Sequence, residues 1–314
     1  MHHKITHPKP FSAAIIFLAF LFTVTLSVAA EIRYKPFILA TANAPGDMQV
    51  TIKNVSNKLT KNGFEVVGQY APYQDTTILI ISSDSLRQHA SQSELGAHGA
   101  VQRVTITKGK SGIQVSFTHP TYMAHAYRMK SDLAGVTAKL VATLGRVKEY
   151  GPTEGLNKED LRDYQYKWLM PYFTDRHELV AYKTQQLALE NIEKILATKA
   201  GGVEKVYRVD LPGKEETVFG VNMTGPSDNE CSGDEYIMSR IDFKQIKSSG
   251  HLPYEFVVSK GKVYALYAEF RIAISFPDLS MMGSNSFASI MCAPAAIKTA
   301  LTKAVGGSEE EGDM

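Results

Sequence analysis

The sequence predicts an α+β protein that carries one folding unit twice, each copy an antiparallel sheet covered on one face by helices. Three observations lead there. A helix-like run at 50–59 precedes a strand-like run ending Tyr70-Ala71-Pro72, and the same order returns at 187–196 and Asp210-Leu211-Pro212. Each copy carries a Lys-Gly-Lys turn between strand-like segments, at Lys108-Gly109-Lys110 and Lys260-Gly261-Lys262. Each copy closes with a helical segment that ends in glycine, at Leu144-Gly145 and Val305-Gly306.

In the first copy, 36–41 is a short apolar strand and Asn43-Ala44-Pro45-Gly46 is turn chemistry. Val50, Val55 and Leu59, with Ile52 beside them, form a helical stripe that Asn62-Gly63 terminates. Phe64, Val66, Gly68 and Tyr70 alternate with Glu65, Val67 and Gln69 as a strand does. The β-branched run 77–82 suits an inner strand, and a polar loop follows it. Segments 100–107 and 113–118 make a hairpin around the Lys-Gly-Lys turn. After Pro120, residues Tyr122, Ala126, Met129, Leu133, Val136, Leu140 and Leu144 step by three and four, which predicts one continuous helix.

The second copy repeats this order, with 179–182 as its first strand, 217–223 as its inner strand and 295–304 within its last helix. Between the copies, Asn157 is placed to cap a short helix with Glu159 and Asp160 in its first turns. The same stretch carries Tyr164, Tyr166, Trp168, Tyr172 and Phe173, which predicts an ordered connector packed over the joint. The predicted organisation is a leader at 1–30, the first copy at 31–145, the connector at 146–176, the second copy at 177–306 and a disordered acidic tail at 307–314. Two such copies make an intramolecular pseudo-dimer.

The segment Ile113-Gln114-Val115-Ser116-Phe117-Thr118-His119-Pro120-Thr121-Tyr122-Met123-Ala124 resembles the strand-to-helix signature of the domain of unknown function 302 family. Asn62-Gly63-Phe64 fits the same pattern. The resemblance covers the first copy well and the second loosely. It implies a β-α-β4-α fold like the TATA-binding-protein saddle. It implies no catalytic residue, because the family's activity is not established.

Lys4 and Lys9 precede an apolar run at 13–28 that closes Val28-Ala29-Ala30, the pattern of a signal peptide cleaved before Glu31. A retained anchor is the alternative reading. Cleavage gives an exported, periplasmic or secreted chain. It also removes Lys4 and Lys9 from the 34 basic residues and none of the 32 acidic ones, so the mature chain is neutral. That excludes the basic footprint a nucleic acid needs and an electrostatic grip on a membrane. Cys231 and Cys292 are the two cysteines; in an oxidising compartment they form a disulfide, or else they are two buried thiols.

Tyr264, Leu266, Ala268, Phe270, Ile272 and Ile274 alternate with Ala265, Tyr267, Glu269, Arg271 and Ala273, which predicts a long strand. Its hairpin partner alternates Leu252, Tyr254, Phe256 and Val258 with His251, Pro253, Glu255 and Val257. The candidate ligand site is therefore His251, Glu255, Tyr267, Glu269 and Arg271 on one sheet face. The same face has two other readings, a buried joint or solvated ion pairs. The matching face of the first copy offers Arg103, Thr105, Gln114, Ser116 and Thr118.

His119, Met123 and His125 are candidate soft-metal ligands, with copper or haem in view, although methionine at such spacing also serves as core filler. Gly96-Ala97-His98-Gly99 is a glycine-bracketed histidine on a turn. The sequence lacks a nucleophile elbow, a zinc-protease motif, a P-loop and a dinucleotide fingerprint. The expectation is an exported, non-enzymatic binding or accessory protein. It takes a small polar ligand or a protein partner, with cofactor unknown and homo-oligomerisation left open. The alternatives are a copper- or haem-handling protein and a hydrolase-type enzyme using the polar face of the second copy.

Overall fold

The computed structural model describes residues 1–2 and 31–308. Residues 3–30 of the predicted leader (1–30) and residues 309–314 of the acidic tail lie outside the described residues. From Phe37 the chain builds an α+β structure on two antiparallel sheets. The first half runs β1 (Phe37–Ala44), α1 (Met48–Lys61), β2 (Glu65–Tyr70), β3 (Thr76–Ser82), α2 (Asp84–Ser91), β4 (Gln102–Gly109), β5 (Gly112–Thr118), α3 (Pro120–Ala126) and α4 (Ala134–Leu144). The connector contributes β6 (Lys148–Tyr150) and α5 (Lys158–Arg162). The second half runs β7 (Arg176–Ala181), α6 (Gln185–Ala197), β8 (Val203–Asp210), β9 (Glu216–Met223), α7 (Asp234–Ile241), β10 (Tyr254–Ser259), β11 (Lys262–Leu266), α8 (Ala268–Ser275) and α9 (Ala293–Ala304).

The strand order is β2-β3-β4-β5-β1-β6 in one sheet and β8-β9-β10-β11-β7 in the other. Matched strand for strand, the halves share one order, and β6 is an added edge pairing with β1. Helix α1 buries Ile52, Val55 and Leu59, while Val50 of the predicted stripe is exposed. Every residue of β3 is buried, so both faces of the first sheet are covered. Each apolar side chain buried there contributes about 1.5–3 kcal/mol.

The second face is covered by the other half. The turn Gly96–Gly99 lies on β9 and β10, and its counterpart Ser249–His251 lies on β3, β4 and β5. Strands β2 and β8 run against each other at the same joint. Gly68 permits this approach, since a Cβ there would lie 2.7 Å from the Val206 carbonyl oxygen. The halves are thus fused within one unit, Ile32–Met314.

Three predicted elements differ. The continuous helix after Pro120 is two helices, broken where Arg128 and Leu133 take positive φ. Ser131 Oγ and Asp132 Oδ1 accept from Leu133 N and Ala134 N, offering the backbone a local alternative to the helix. The long strand beginning at Tyr264 ends at Leu266 and becomes α8. That helix is buried almost all round, so no alternation with water marks its period. The polar loops after β3 and β9 each contain a helix, α2 and α7.

In the connector, Asn157 Oδ1 accepts from Asp160 N at 2.6 Å at the start of α5. Phe173 is buried against Tyr127 and Phe270, and Tyr164 OH donates to the Ala273 carbonyl, which ties both halves together. Trp168, however, is exposed. Among the described residues no helix is long and apolar enough to cross a membrane.

Cys231 and Cys292 are disulfide-bonded, fastening the turn before α7 to the start of α9 across 61 residues. Closing a loop of that length stabilises by about 4 kcal/mol on the chain-entropy argument. A paired Cys231→Ser and Cys292→Ser variant is expected to lose that order of stability in urea denaturation. Wild type under reducing conditions should match it, and equal midpoints for reduced and oxidised protein would refute the expectation.

Candidate functional site

The predicted sheet-face residues divide on folding. Glu255 on β10 sits at the joint with its side chain fully buried. Arg103 Nη2 from β4 and Tyr207 OH from β8 both donate to its Oε1. Arg271 Nη1 from α8 donates to Oε2 at 2.9 Å and to Tyr127 OH at 3.0 Å. Arg271 Nη2 donates to the carbonyls of His251 (2.8 Å) and Pro253 (2.9 Å). His98 Nδ1 lies 3.4 Å from Glu255 Oε2. Tyr207 reaches the carboxylate across Gly220, where a Cβ would lie 1.9 Å from the tyrosine Cε1.

Burial alone would raise the Glu255 carboxyl, but Arg103 and Arg271 outweigh it and hold it at about 2. Burial holds the His251 imidazole well below its ordinary range, and the two arginines add to that. His98 is lowered by burial although Glu255 pulls it upward. Both carboxylate oxygens of Glu255 accept from protein donors, so among the described residues the cluster forms an ionic joint between the halves.

Tyr267 and Glu269 do not join this cluster. Tyr267 is the residue before α8 and lies against the His177 ring, tilted by 35° with centroids 3.8 Å apart. Glu269 lies in the first turn of α8, half-buried, and burial raises its carboxyl. The long-strand reading had placed both on the sheet face; the helix turns them away from Glu255.

The predicted soft-metal set is also dispersed. His119 caps α3, its Nδ1 accepting from Tyr122 N at 3.4 Å, and its Nε2 is 3.3 Å from Glu149 Oε1. Both ring nitrogens are engaged, which leaves no lone pair for a metal. Met123 belongs to the buried core, and His119 and His125 flank the Tyr34 ring at 5.6 Å each. Among the described residues no group of three or more His, Cys, Asp or Glu side chains is placed to hold a metal ion.

A concave site lies instead beside the strap 242–249, which follows α7. Ser248 N donates to both Asp242 carboxylate oxygens, at 3.1 and 2.9 Å, and Lys247 Nζ donates to the Asp242 carbonyl at 2.6 Å. The first half and the connector hold the strap from the other side. Gln114 Nε2 donates to the Gln245 carbonyl (3.0 Å), Tyr150 OH to the Lys247 carbonyl (2.8 Å), and Tyr73 OH to Ser249 Oγ (2.8 Å).

Two cavities flank the strap, and Asp242 and Phe243 line both. One, of about 240 Å³, lies between Tyr73 of the first half and the Glu235–Met238 face of α7. The other, of about 140 Å³, is lined by Phe276, Ser275, Lys244 and Asp278 among others. Burial pushes the Asp242 carboxyl up to about 7, against the pull of the Ser248 N–H and of Lys247 and Lys244. Ser275 Oγ donates to the Arg271 carbonyl and lies 3.1 Å from His251 Nδ1, so the smaller cavity abuts the joint.

Sequence reasoning missed Asp242, Phe243 and Ser275. Their one local signal was an acid following an amphipathic run, which reads equally as a solvated helix end. No family model matches the chain, and no curated protein or solved structure matches it either. Fold and site together define an α+β protein of two antiparallel sheets with a closed ionic joint and a cleft at its seam.

Proposed function

We propose that this chain is an exported, non-enzymatic binding protein, built as two tandem copies of a β-α-β4-α unit, that holds a small polar ligand in the clefts beside the strap. One observation carries the reading: the concave surface at the seam converges on a single deeply buried carboxylate, Asp242, with aromatic and hydroxyl neighbours. Convergent polar groups in an otherwise apolar recess are what small-ligand sites are built from. The leader pattern and the disulfide favour an oxidising, exported setting. The shared strand order and the strand-to-helix resemblance favour a duplicated unit.

Binding without turnover is favoured by the state of Ser275 and His251. Ser275 Oγ donates to a backbone carbonyl, and the His251 ring lies 3.1 Å from Ser275 Oγ and 3.0 Å from Tyr254 OH, so both side chains are engaged within the protein.

Native mass spectrometry of protein recovered from the exported compartment tests this. Wild type is expected to carry a small-molecule adduct, and Ser280→Trp, which fills the rim of the smaller cleft, is expected to lose it. An adduct retained by Ser280→Trp would move the site elsewhere, and a turned-over substrate would overturn the non-enzymatic reading.

A further inference from the structure

The smaller cleft has a lining that selects the charge of its occupant. Ile241, Phe243, Phe276 and Leu279 wall it beside Asp242, in about 140 Å³. That is well below the roughly 300–1,000 Å³ of drug-sized sites, so the occupant has few heavy atoms. Asp242 is 6 % exposed, and among the described residues the Ser248 N–H is the donor on its carboxylate. Among the described residues the lysine lining this cleft is Lys244, whose charge is partnered by Asp278. Lys244 Nζ is held by Asp278 at 2.8 Å, and Lys247 Nζ by the Asp242 carbonyl at 2.6 Å.

A hard divalent cation takes six or more oxygen ligands, and the carboxylates lining this cleft are Asp242 and Asp278, the second already paired. A neutral molecule would leave the buried carboxylate uncompensated. A cation would relieve the same desolvation that raises Asp242. Aromatic faces attract ammonium groups when they are sheltered from water, and Phe276 is the buried ring of this cleft while Phe243, more exposed, offers apolar surface at its edge.

We propose that the smaller cleft binds a small primary ammonium ligand, with its nitrogen against the Asp242 carboxylate and its carbon skeleton on Phe243 and Phe276. The inference rests on the cleft reading above and names the class of molecule that fits it.

The test titrates the full exported chain with propylammonium chloride, sodium propionate and n-propanol at matched ionic strength. Amide chemical shifts of 242–248 and 275–280 report occupancy. Propylammonium is expected to produce saturable shifts there, and the other two probes none. Asp242→Asn keeps an acceptor for Ser248 N and should weaken propylammonium binding at least about tenfold. Should that variant fail to fold, Phe276→Leu gives a second reading, with severalfold weakening expected.

Propylammonium binding unchanged in either folded variant would overturn the inference. Propionate or propanol taking the cleft in place of propylammonium would overturn the ligand class while leaving the binding cleft. No response to any probe would overturn the ammonium assignment, and the adduct carried by wild type but lost in Ser280→Trp would then decide the broader reading by itself.

Discussion

Replacing Glu255 by Gln is expected to destabilise the protein by about 3–5 kcal/mol, because it strands two guanidinium groups in a dry joint. Arg103 and Arg271 side chains are 2 % and 4 % exposed, and Glu255 is the carboxylate both of them contact. Gln keeps the shape but removes the charge and turns one acceptor oxygen into an NH2 donor facing donors, so the loss reports electrostatics and hydrogen bonding more than packing. A deficit of that size is a large share of a typical domain's stability of about 5–15 kcal/mol. Urea denaturation at pH 7 measures it.

Glu269→Ala is the control. Glu269 is only half-buried and lies outside the cluster, so the expected change is about 1 kcal/mol or less. A triple replacement, Glu255→Leu with Arg103→Met and Arg271→Met, should recover much of the loss, since apolar residues avoid the desolvation that the ions carry. A Glu255→Gln variant within about 1 kcal/mol of wild type would refute the ionic joint. The pH dependence has a definite sign. Glu255 is held at about 2 against an ordinary 4.5, so its contribution is present above 4.5 and is lost as pH falls from there toward 2.

The second large effect concerns Asp234, buried at the start of α7. Its Oδ2 lies 3.5 Å from Tyr70 OH and 3.4 Å from Met223 N, and among the described residues its Oδ1 has no hydrogen-bond partner. Burial pushes its carboxyl from 3.8 up to about 8, although those two contacts oppose the shift. A carboxyl raised on folding keeps a proton that the unfolded chain has released. Stability therefore falls as pH rises from 3.8 toward 8, by up to about 1.4 kcal/mol per pH unit. Asp242 adds the same slope up to about 7.

Below 6.5 the lowered histidines His98, His125 and His251 oppose this, because the unfolded chain binds protons that they refuse. The clear decline should thus lie between pH 6.5 and 8, at about 2 kcal/mol in wild type. Asp234→Asn keeps an acceptor for Tyr70 and Met223 and has no proton to lose, so its loss over that window should be under about 1 kcal/mol. Parallel curves for the two proteins would refute a buried neutral Asp234.

Much of the architecture was written in local pattern. The alternation of β2, the hairpin turns, the Asn157 cap and the Pro120 helix start each follow from a few neighbouring residues. The break between α3 and α4 was legible too, in Ser131 and Asp132, but the apolar stripe running across it spoke louder. Helix α8 was the opposite case. With Phe270 through Ser275 all buried, a helix and a strand present the same unbroken apolar run.

The candidate site was legible only as an inventory. Glu255, Arg271 and His251 were singled out, and Arg103 was noted on the opposite copy, yet nothing local joined Arg103 to a carboxylate 152 residues away. Asp242 carried only the signal of an acid after an amphipathic run, which a solvated helix end gives as well. Its burial arises from the strap docking on Gln114 of the other half and Tyr150 of the connector.

The sequence by itself determined the order of elements and the faces they turn inward, because periodicity records which side of each segment meets water. Only the tertiary structure decided which charges meet at the joint and where the seam leaves a cleft. Those depend on how two sheet surfaces dock, which is a property of both surfaces at once and of no single stretch of chain.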